Sequence, residues 1–305
     1  MMYKAFGFTM MSEIPLPELK SLERPVDLID IEITMGDLKK EWQAVSKEED
    51  IFVITKDRIL FQLNGIAIFS IKKGKQITVS PLEGYSEEVA RLWILGTCMG
   101  AILMQRKILS LHGSVIAIDG KAYAIVGHSG AGKSTLASAF LNRGFHLLTD
   151  DVIAVSFSEE NVPYVTPSYP QQKLWIESME QFGMDEAGYQ PLIDRETKFA
   201  VPVSTQFMDT PLPLAGIFEL VKDDVTEINI QPIGSLLGLH KLFLHTYRNF
   251  FLEHSGLLEW HFQMTAKLVN KLDLYQLRRP VTPFTAYELI DLILETIKVE
   301  EKVYA

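Results

Sequence analysis

The sequence predicts an α/β protein with a mixed central sheet over residues 85–305, preceded by a small β-rich domain over residues 1–84. Three observations predict it. The turn Gly127-His128-Ser129-Gly130-Ala131-Gly132-Lys133-Ser134-Thr135 follows the apolar run 122–126 and matches the phosphate-cradling pattern GxxxxGK[ST], a P-loop. Asp119-Gly120 separates two β-rich runs, 114–118 and 121–126, so the strand entering the turn pairs antiparallel with its predecessor. The sheet is then mixed, unlike an all-parallel nucleotide-binding fold. Asn64-Gly65 is a second hairpin signal, between 58–63 and 66–71, and with 51–55 and 76–80 it extends to a meander of about four strands.

The remaining elements follow in order. Residues 3–10 and 30–34 add strands to the N-terminal part, with Glu13-Ile14-Pro15-Leu16-Pro17 as a surface turn. Residues 87–107 form a buried helix whose apolar run, 92–104, is well short of the roughly 20 residues of a bilayer span. After the glycine turn, Leu136, Ala137, Phe140 and Leu141 make a helical stripe that stops at Gly144. Residues 145–148 and 152–155 read as one apolar strand interrupted by Thr149-Asp150-Asp151. Residues 163–208, rich in Pro, Gln, Tyr and Met without a clear period, read as irregular structure that drapes over the site. Residues 216–221 and 227–231 look like a strand pair and 236–251 like a helix, and Thr285 with Glu288 makes a capping box for a last helix to about 298.

Composition narrows the class. A chain of 305 residues with 47% hydrophobic content buries a sizeable core, and its net charge of −10 argues against a nucleic-acid surface. Cys98 is the only cysteine and lies in an apolar stretch, which excludes an internal disulfide and a cysteine metal site. With no secretory signal pattern and no spanning segment, the expectation is a cytoplasmic protein without a membrane partner. The oligomeric state stays open, a homo-oligomer included.

The glycine turn directs its backbone N–H groups inward, the following helix adds its positive end, and Lys133 reaches outer phosphates, with Ser134 offering a hydroxyl to Mg²⁺. His128 and Ser129 are variable positions that offer backbone N–H groups. Asp150 and Asp151 end the first half of the strand beyond the turn's helix. Either they are a solvated strand-end pair, or one serves a metal while the other, on the opposite face, meets an acceptor hydroxyl. His112 either stands at the transferring phosphoryl group or is a helix-end histidine satisfied by carbonyls. Lys173, Arg195, Lys198 and Arg248 are further cations that either neutralise phosphate charge, Arg248 among them, or, for most, lie at the surface, and Trp42, Trp93, Trp175 and Trp260 are expected in packing.

Leu111-His112-Gly113-Ser114, the glycine turn, Asn142-Arg143-Gly144-Phe145 and Leu148-Thr149-Asp150-Asp151-Val152 together resemble the HPr kinase/phosphorylase family, whose P-loop arrangement is shared with phosphoenolpyruvate carboxykinase. The resemblance implies ATP and Mg²⁺ as cofactors. It assigns Asp151 to the serine hydroxyl proton, Asp150 with Ser134 to the metal, Lys133 to the β- and γ-phosphates and His112 to the phosphate side. The family's downstream Glu-Ile-Arg-Gly type signature is replaced here by Lys173-Leu174-Trp175-Ile176-Glu177-Ser178, which leaves Glu177 as a candidate metal-side carboxylate. Tyr169-Pro170 followed by Lys173-Leu174-Trp175 is similar to the HPr-kinase-like proteins of lasso-peptide gene clusters, implying a peptide substrate, the C-terminal serine of a lasso precursor. The alternatives are a serine kinase of an HPr-type phosphocarrier protein and a nucleotide-dependent binding module that has lost transfer.

Overall fold

The computed structural model describes residues 1–24, 28–185, 188–192 and 195–303, with the backbone alone for 190–192, 195–197 and 299–303. Strands β1 (Met2–Ala5) and β2 (Phe8–Ser12) are joined by Phe6-Gly7, both at positive φ. The single strand expected over 3–10 therefore folds back as a hairpin, because a two-residue turn with both φ positive matches the strand twist. Then come β3 (Lys20–Ser21), β4 (Ile31–Met35), helix α1 (Lys39–Val45) and the expected meander, β5 (Phe52–Thr55), β6 (Arg58–Leu63), β7 (Ala67–Lys72) and β8 (Gln76–Pro81). These eight strands form one sheet in the order β3-β1-β2-β4-β8-β7-β6-β5, parallel only at β2–β4 and β4–β8.

The buried helical run begins at α2 (Glu87–Trp93), where the Ser86 hydroxyl accepts from the Val89 N–H. A π-turn, Ile94–Cys98, interrupts it before α3 (Met99–Gln105). Ile94, Cys98, Met99 and Ile102 of this run pack with Met10, Phe61 and Phe69 of the N-terminal sheet. The same cluster takes in Val152, Tyr169 and Phe251, so apolar packing is continuous across residue 84. Each such large side chain contributes about 1.5–3 kcal/mol by leaving water.

The second half runs through β9 (Leu109–Ile118), β10 (Lys121–Val126), α4 (Lys133–Asn142), β11 (His146–Phe157), β12 (Pro163–Thr166), β13 (Gln171–Trp175), α5 (Ile176–Gln181), β14 (Gln190–Leu192) and β15 (Arg195–Pro202). It continues with β16 (Leu212–Lys222), β17 (Asn229–Pro232), α6 (Ser235–Leu244), α7 (Phe250–His254), α8 (Leu258–Val269), β18 (Asp273–Arg279) and α9 (Ala286–Val303). The central sheet is mixed, as the Asp119-Gly120 turn implies: β10–β16 and β16–β18 are parallel, whereas β9 pairs antiparallel with β10 and β11. β16 pairs with β12 at its start and with β10 further along, so β9, β10, β16, β12 and β11 close into a ring. Alternation decides its two faces. Ile116, Ile118, Tyr123 and Ile125 pack against Leu136 and Phe140 of α4 and Ile290 of α9, while Val115, Ala117, Ala122 and Ala124 share a core with Leu242 of α6 and Leu268 of α8.

Several expectations need correction. Residues 163–208 are largely ordered: β13, β15 and β14 make a small antiparallel sheet whose β13 side chain Leu174 is buried with Phe199 and Val201. Low periodicity misled here because these strands are short and are buried on one side against α4 and α5. β16 and β17 are not partners, since β18 lies between them. The helix expected over 236–251 breaks at residues 245–249, where Thr246 bridges to Leu111 and the Tyr247 N–H donates to the Ser110 carbonyl. The last helix starts after Thr285, but that hydroxyl has no hydrogen-bond partner, so the capping box is not formed. Among the described residues no helix is long and apolar enough to cross a membrane.

Candidate functional site

Loop 127–132 leaves β10 and enters α4. Gly127 (φ 154°) is confined by chemistry of space, because a Cβ there would lie 2.5 Å from the Leu220 carbonyl. His128, Ser129 and Gly130 form the exposed crest, Ala131 is buried, and the Lys133 ammonium donates to the His128 carbonyl at 3.1 Å. Arg279, at the end of β18, donates through Nε to the Ala131 carbonyl at 2.9 Å and braces the loop from behind.

The strands bring the acids to this loop. In the register of β9 and β11, Ser114 faces Asp150, Gly113 faces Asp151 and His112 faces Val152. Only glycine fits at 113, because a Cβ there would run into the Ile125 carbonyl of β10. The Asp150 carboxylate accepts from the Ser114 hydroxyl at 2.5 Å, from the Ser134 hydroxyl at 3.0 Å and from the Lys173 backbone N–H at 2.9 Å. It is a buried acid held by three donors, one of them from the first turn of α4.

Asp151 differs from the expectation that neighbouring acids point to opposite faces. Its φ is +87°, and that left-handed backbone turns its carboxylate to the side of Asp150, where Oδ2 accepts from the Lys173 ammonium at 2.6 Å and Oδ1 lies 3.3 Å from His112 Nδ1. Such φ values for a non-glycine residue cost about 1–3 kcal/mol and cluster at functional sites. His112 Nδ1 also lies 3.1 Å from the Asp151 carbonyl; with two acceptors there, that nitrogen carries the proton and Nε2 is left for another partner.

Burial alone would raise the Asp151 carboxyl, but the Lys173 ammonium and the His112 ring hold it well below the usual carboxylate range. Lys173 is only 7% exposed, and Asp151 overrides burial to keep it charged. It is therefore no surface charge. Burial pushes Lys133 down to about 8, against the pull of Asp150 and Asp151 and with the repulsion of Lys198. Those three groups are thus close enough to be felt at the loop.

The other candidates fall differently. Lys198 stacks its ammonium 5.4 Å from the Trp175 ring. Arg248 is held on the π-turn, donating to the Thr97 hydroxyl at 3.1 Å with its guanidinium over Trp93. Glu177 is exposed, and the Arg195 side chain lies outside the described residues. Cys98 is buried, as expected, and burial pushes its thiol up. Trp42 is in the core, Trp93 stacks near Phe61 and Trp260 packs on the first core cluster.

Sequence reasoning missed a second layer. Glu219 of β16, opposite Val126 at the mouth of the loop, is buried and accepts from Lys241 at 2.8 Å, from His245 Nε2 at 2.9 Å and from Gln276 at 2.7 Å. Burial opposes its ionisation, yet His245, Lys241 and Gln276 bring the carboxyl down to about 2. The His245 ring packs edge-on to His128 at 5.2 Å, and its carbonyl accepts from the His112 N–H at 2.7 Å, so this layer touches both loop and strand. A lone acid inside Gly216-Ile217-Phe218-Glu219-Leu220-Val221 was the signal available.

No family model matches the chain. A curated HPr kinase/phosphorylase of Mycoplasmopsis pulmonis (strain UAB CTIP) is 34% identical over 83 residues, 25% of this chain and 27% of that protein. The match thus spans about a quarter of the curated relative's length. The solved Hpr(Ser) kinase/phosphatase from Coxiella burnetii is similar over 63% of this chain and 98% of its own, with a TM-score of 0.34 and 14% identity.

Proposed function

Starting from an HPr kinase-like chain, we propose that this protein transfers the γ-phosphate of ATP to a serine hydroxyl of a peptide, the precursor of a lasso peptide being the favoured acceptor. One observation carries the reading. Ser134 and Asp150, an α4 hydroxyl and a strand carboxylate, meet at 3.0 Å, and Lys173 joins Asp150 through its N–H and Asp151 through its ammonium, which supports reading the two acids as neighbouring metal-side and acceptor-side groups. The donor set fits Mg²⁺, which takes oxygen ligands from one or two carboxylates and hydroxyls and completes its shell with substrate phosphate. In that role Ser134 and Asp150 hold the ion, which supplies charge neutralisation between the phosphates.

The chain's own residues do the rest. Loop 127–132 and the N-terminal turn of α4 present N–H groups to the phosphates, and Lys133 leaves the His128 carbonyl to meet them. His112, its Nδ1 proton directed to Asp151, keeps Nε2 for the phosphate side. Asp151, anionic throughout the neutral range, uses one lone pair of Oδ1 toward His112 and one of Oδ2 toward Lys173. The remaining lone pairs orient the acceptor hydroxyl and take its proton late, as a loose phosphoryl-transfer transition state requires.

Incubation with γ-labelled ATP, Mg²⁺ and two acceptors, a serine-ended lasso precursor and an HPr-type phosphocarrier, tests the reading. Label is expected on the peptide serine. Label on the phosphocarrier alone selects that acceptor instead, and nucleotide binding without any transfer selects a nucleotide-gated binding module.

A pH dependence follows from Lys133. Its free value is about 8, and a bound triphosphate raises it, so binding is linked to proton uptake above that pH. Nucleotide affinity attributable to Lys133 is expected to be level below pH 8 and then to fall, approaching tenfold per pH unit until the bound-state value is passed. Calorimetry against a Lys133→Met control, which should lack that decline, checks it.

A further inference from the structure

Next to this site lies a cleft of about 1200 Å³ for which the mechanism has no use. Its walls come from three parts of the chain: the N-terminal sheet through Lys4, Phe6 and Lys20, helix α2 through Leu92, and the segment around β13 and β15 through Ser168 and Pro202. Lys173, whose ammonium is the partner of Asp151, is one of its lining residues. The cleft therefore borders the group that holds the acceptor-side carboxylate.

Four properties say what fits. The volume exceeds the roughly 300–1,000 Å³ of small-molecule pockets. The walls are mixed, apolar at Phe6, Leu92 and Pro202 with two lysines, Lys4 and Lys20, exposed at the rim without an ion pair among the described residues. Ser168, only 5% exposed, and Glu18, whose Oε1 already accepts from Arg91, both line the cleft, and each keeps one oxygen with no hydrogen bond. Finally, β3 ends the eight-stranded sheet, and among the described residues no strand pairs with its outer edge, where Lys20 lines the cleft. An outer strand edge and apolar walls are what an extended peptide uses, through its N–H groups and alternate side chains.

We infer that this cleft is the docking groove for the acceptor peptide, seating an extended segment that flanks the serine and places its hydroxyl beyond Lys173 at Asp151. The inference rests on the peptide-kinase reading above. It adds that the N-terminal sheet is a substrate-binding element, with Lys173 as the post between groove and carboxylate.

The test uses the full chain and a library of twelve-residue peptides with a central serine and a flanking photoreactive benzoylphenylalanine. Crosslinks are expected on residues 4–22, 88–95 or 166–173. Leu92→Glu and, independently, Pro202→Trp are expected to cut crosslinking and raise the peptide KM at least tenfold, with ATP affinity within twofold as the check on folding. Crosslinks confined to other surfaces, such as the exposed Leu236 and Phe262 side chains of α6 and α8, overturn the groove, as does a peptide KM unchanged in both folded variants. Failure of the kinase reading looks different: crosslinks in the groove without phosphate transfer leave the groove standing and remove the reaction.

Discussion

Asp151→Asn is expected to lower phosphoryl transfer by roughly 10²–10⁴-fold while leaving nucleotide affinity within a few-fold of wild type. On the proposed mechanism only the acceptor side loses its carboxylate, whereas loop 127–132, Lys133 and the Ser134–Asp150 pair keep their contacts. The same substitution has a second effect that the sequence could not announce. Asp151 is the counterion of Lys173, a buried ammonium, and removing one partner of a buried pair costs about 3–5 kcal/mol because the other is left uncompensated. A fall in melting temperature should accompany the loss of turnover. Asp151→Asn combined with Lys173→Met should restore much of the stability and none of the activity. Turnover at the wild-type rate in the single variant would remove Asp151 from the reaction, and an unchanged melting temperature would remove the ion pair from the stability argument.

Lys133→Met is expected to separate binding from stability in the opposite direction. In the proposed reaction the ammonium faces phosphate in ground and transition states alike, and losing a charged hydrogen bond of about 1.5–3 kcal/mol should weaken nucleotide binding about 10- to 150-fold. In the free protein the same ammonium is a burden, since burial lowers it from 10.5 to about 8. For a base depressed on folding, the penalty is full below the folded value and fades as pH rises from about 8 toward 10.5. At pH 7 the free variant should therefore be more stable, by as much as a few kcal/mol on the order of the shift. Calorimetry and thermal melts on one preparation check both halves; wild-type affinity would contradict the phosphate role.

What the sequence made legible was whatever is encoded locally. Asp119-Gly120 sets the antiparallel entry to the loop with two positive φ values, and the stripe of α4 follows from its spacing. The loop and the two acids stand close in sequence, 16 residues separating Ser134 from Asp150, so their meeting was readable too. The illegible part is non-local. Glu219, His245 and Arg279 reach the loop from β16, the break after α6 and the end of β18, and no short pattern links such separations. The side on which Asp151 lies is not readable by alternation, which assumes extended backbone, and one left-handed residue breaks it. Nothing in the sequence separates Lys173 from the other cations of its stretch, because a lysine in a segment without period gives no sign that a carboxylate awaits it inside.

The ring of β9, β10, β16, β12 and β11 bears on how this centre tolerates change. An open sheet can let one stave slide by a residue and lose only its margin, but in a hoop every stave is clamped on both sides. Slippage of β11 would have to drag its neighbours round the circle, so the alignment that sets the twin acids opposite Gly113 and Ser114 survives intact or is lost with the whole hoop. Damage here is expected as inactive protein with little in between, rather than as a graded loosening of the centre.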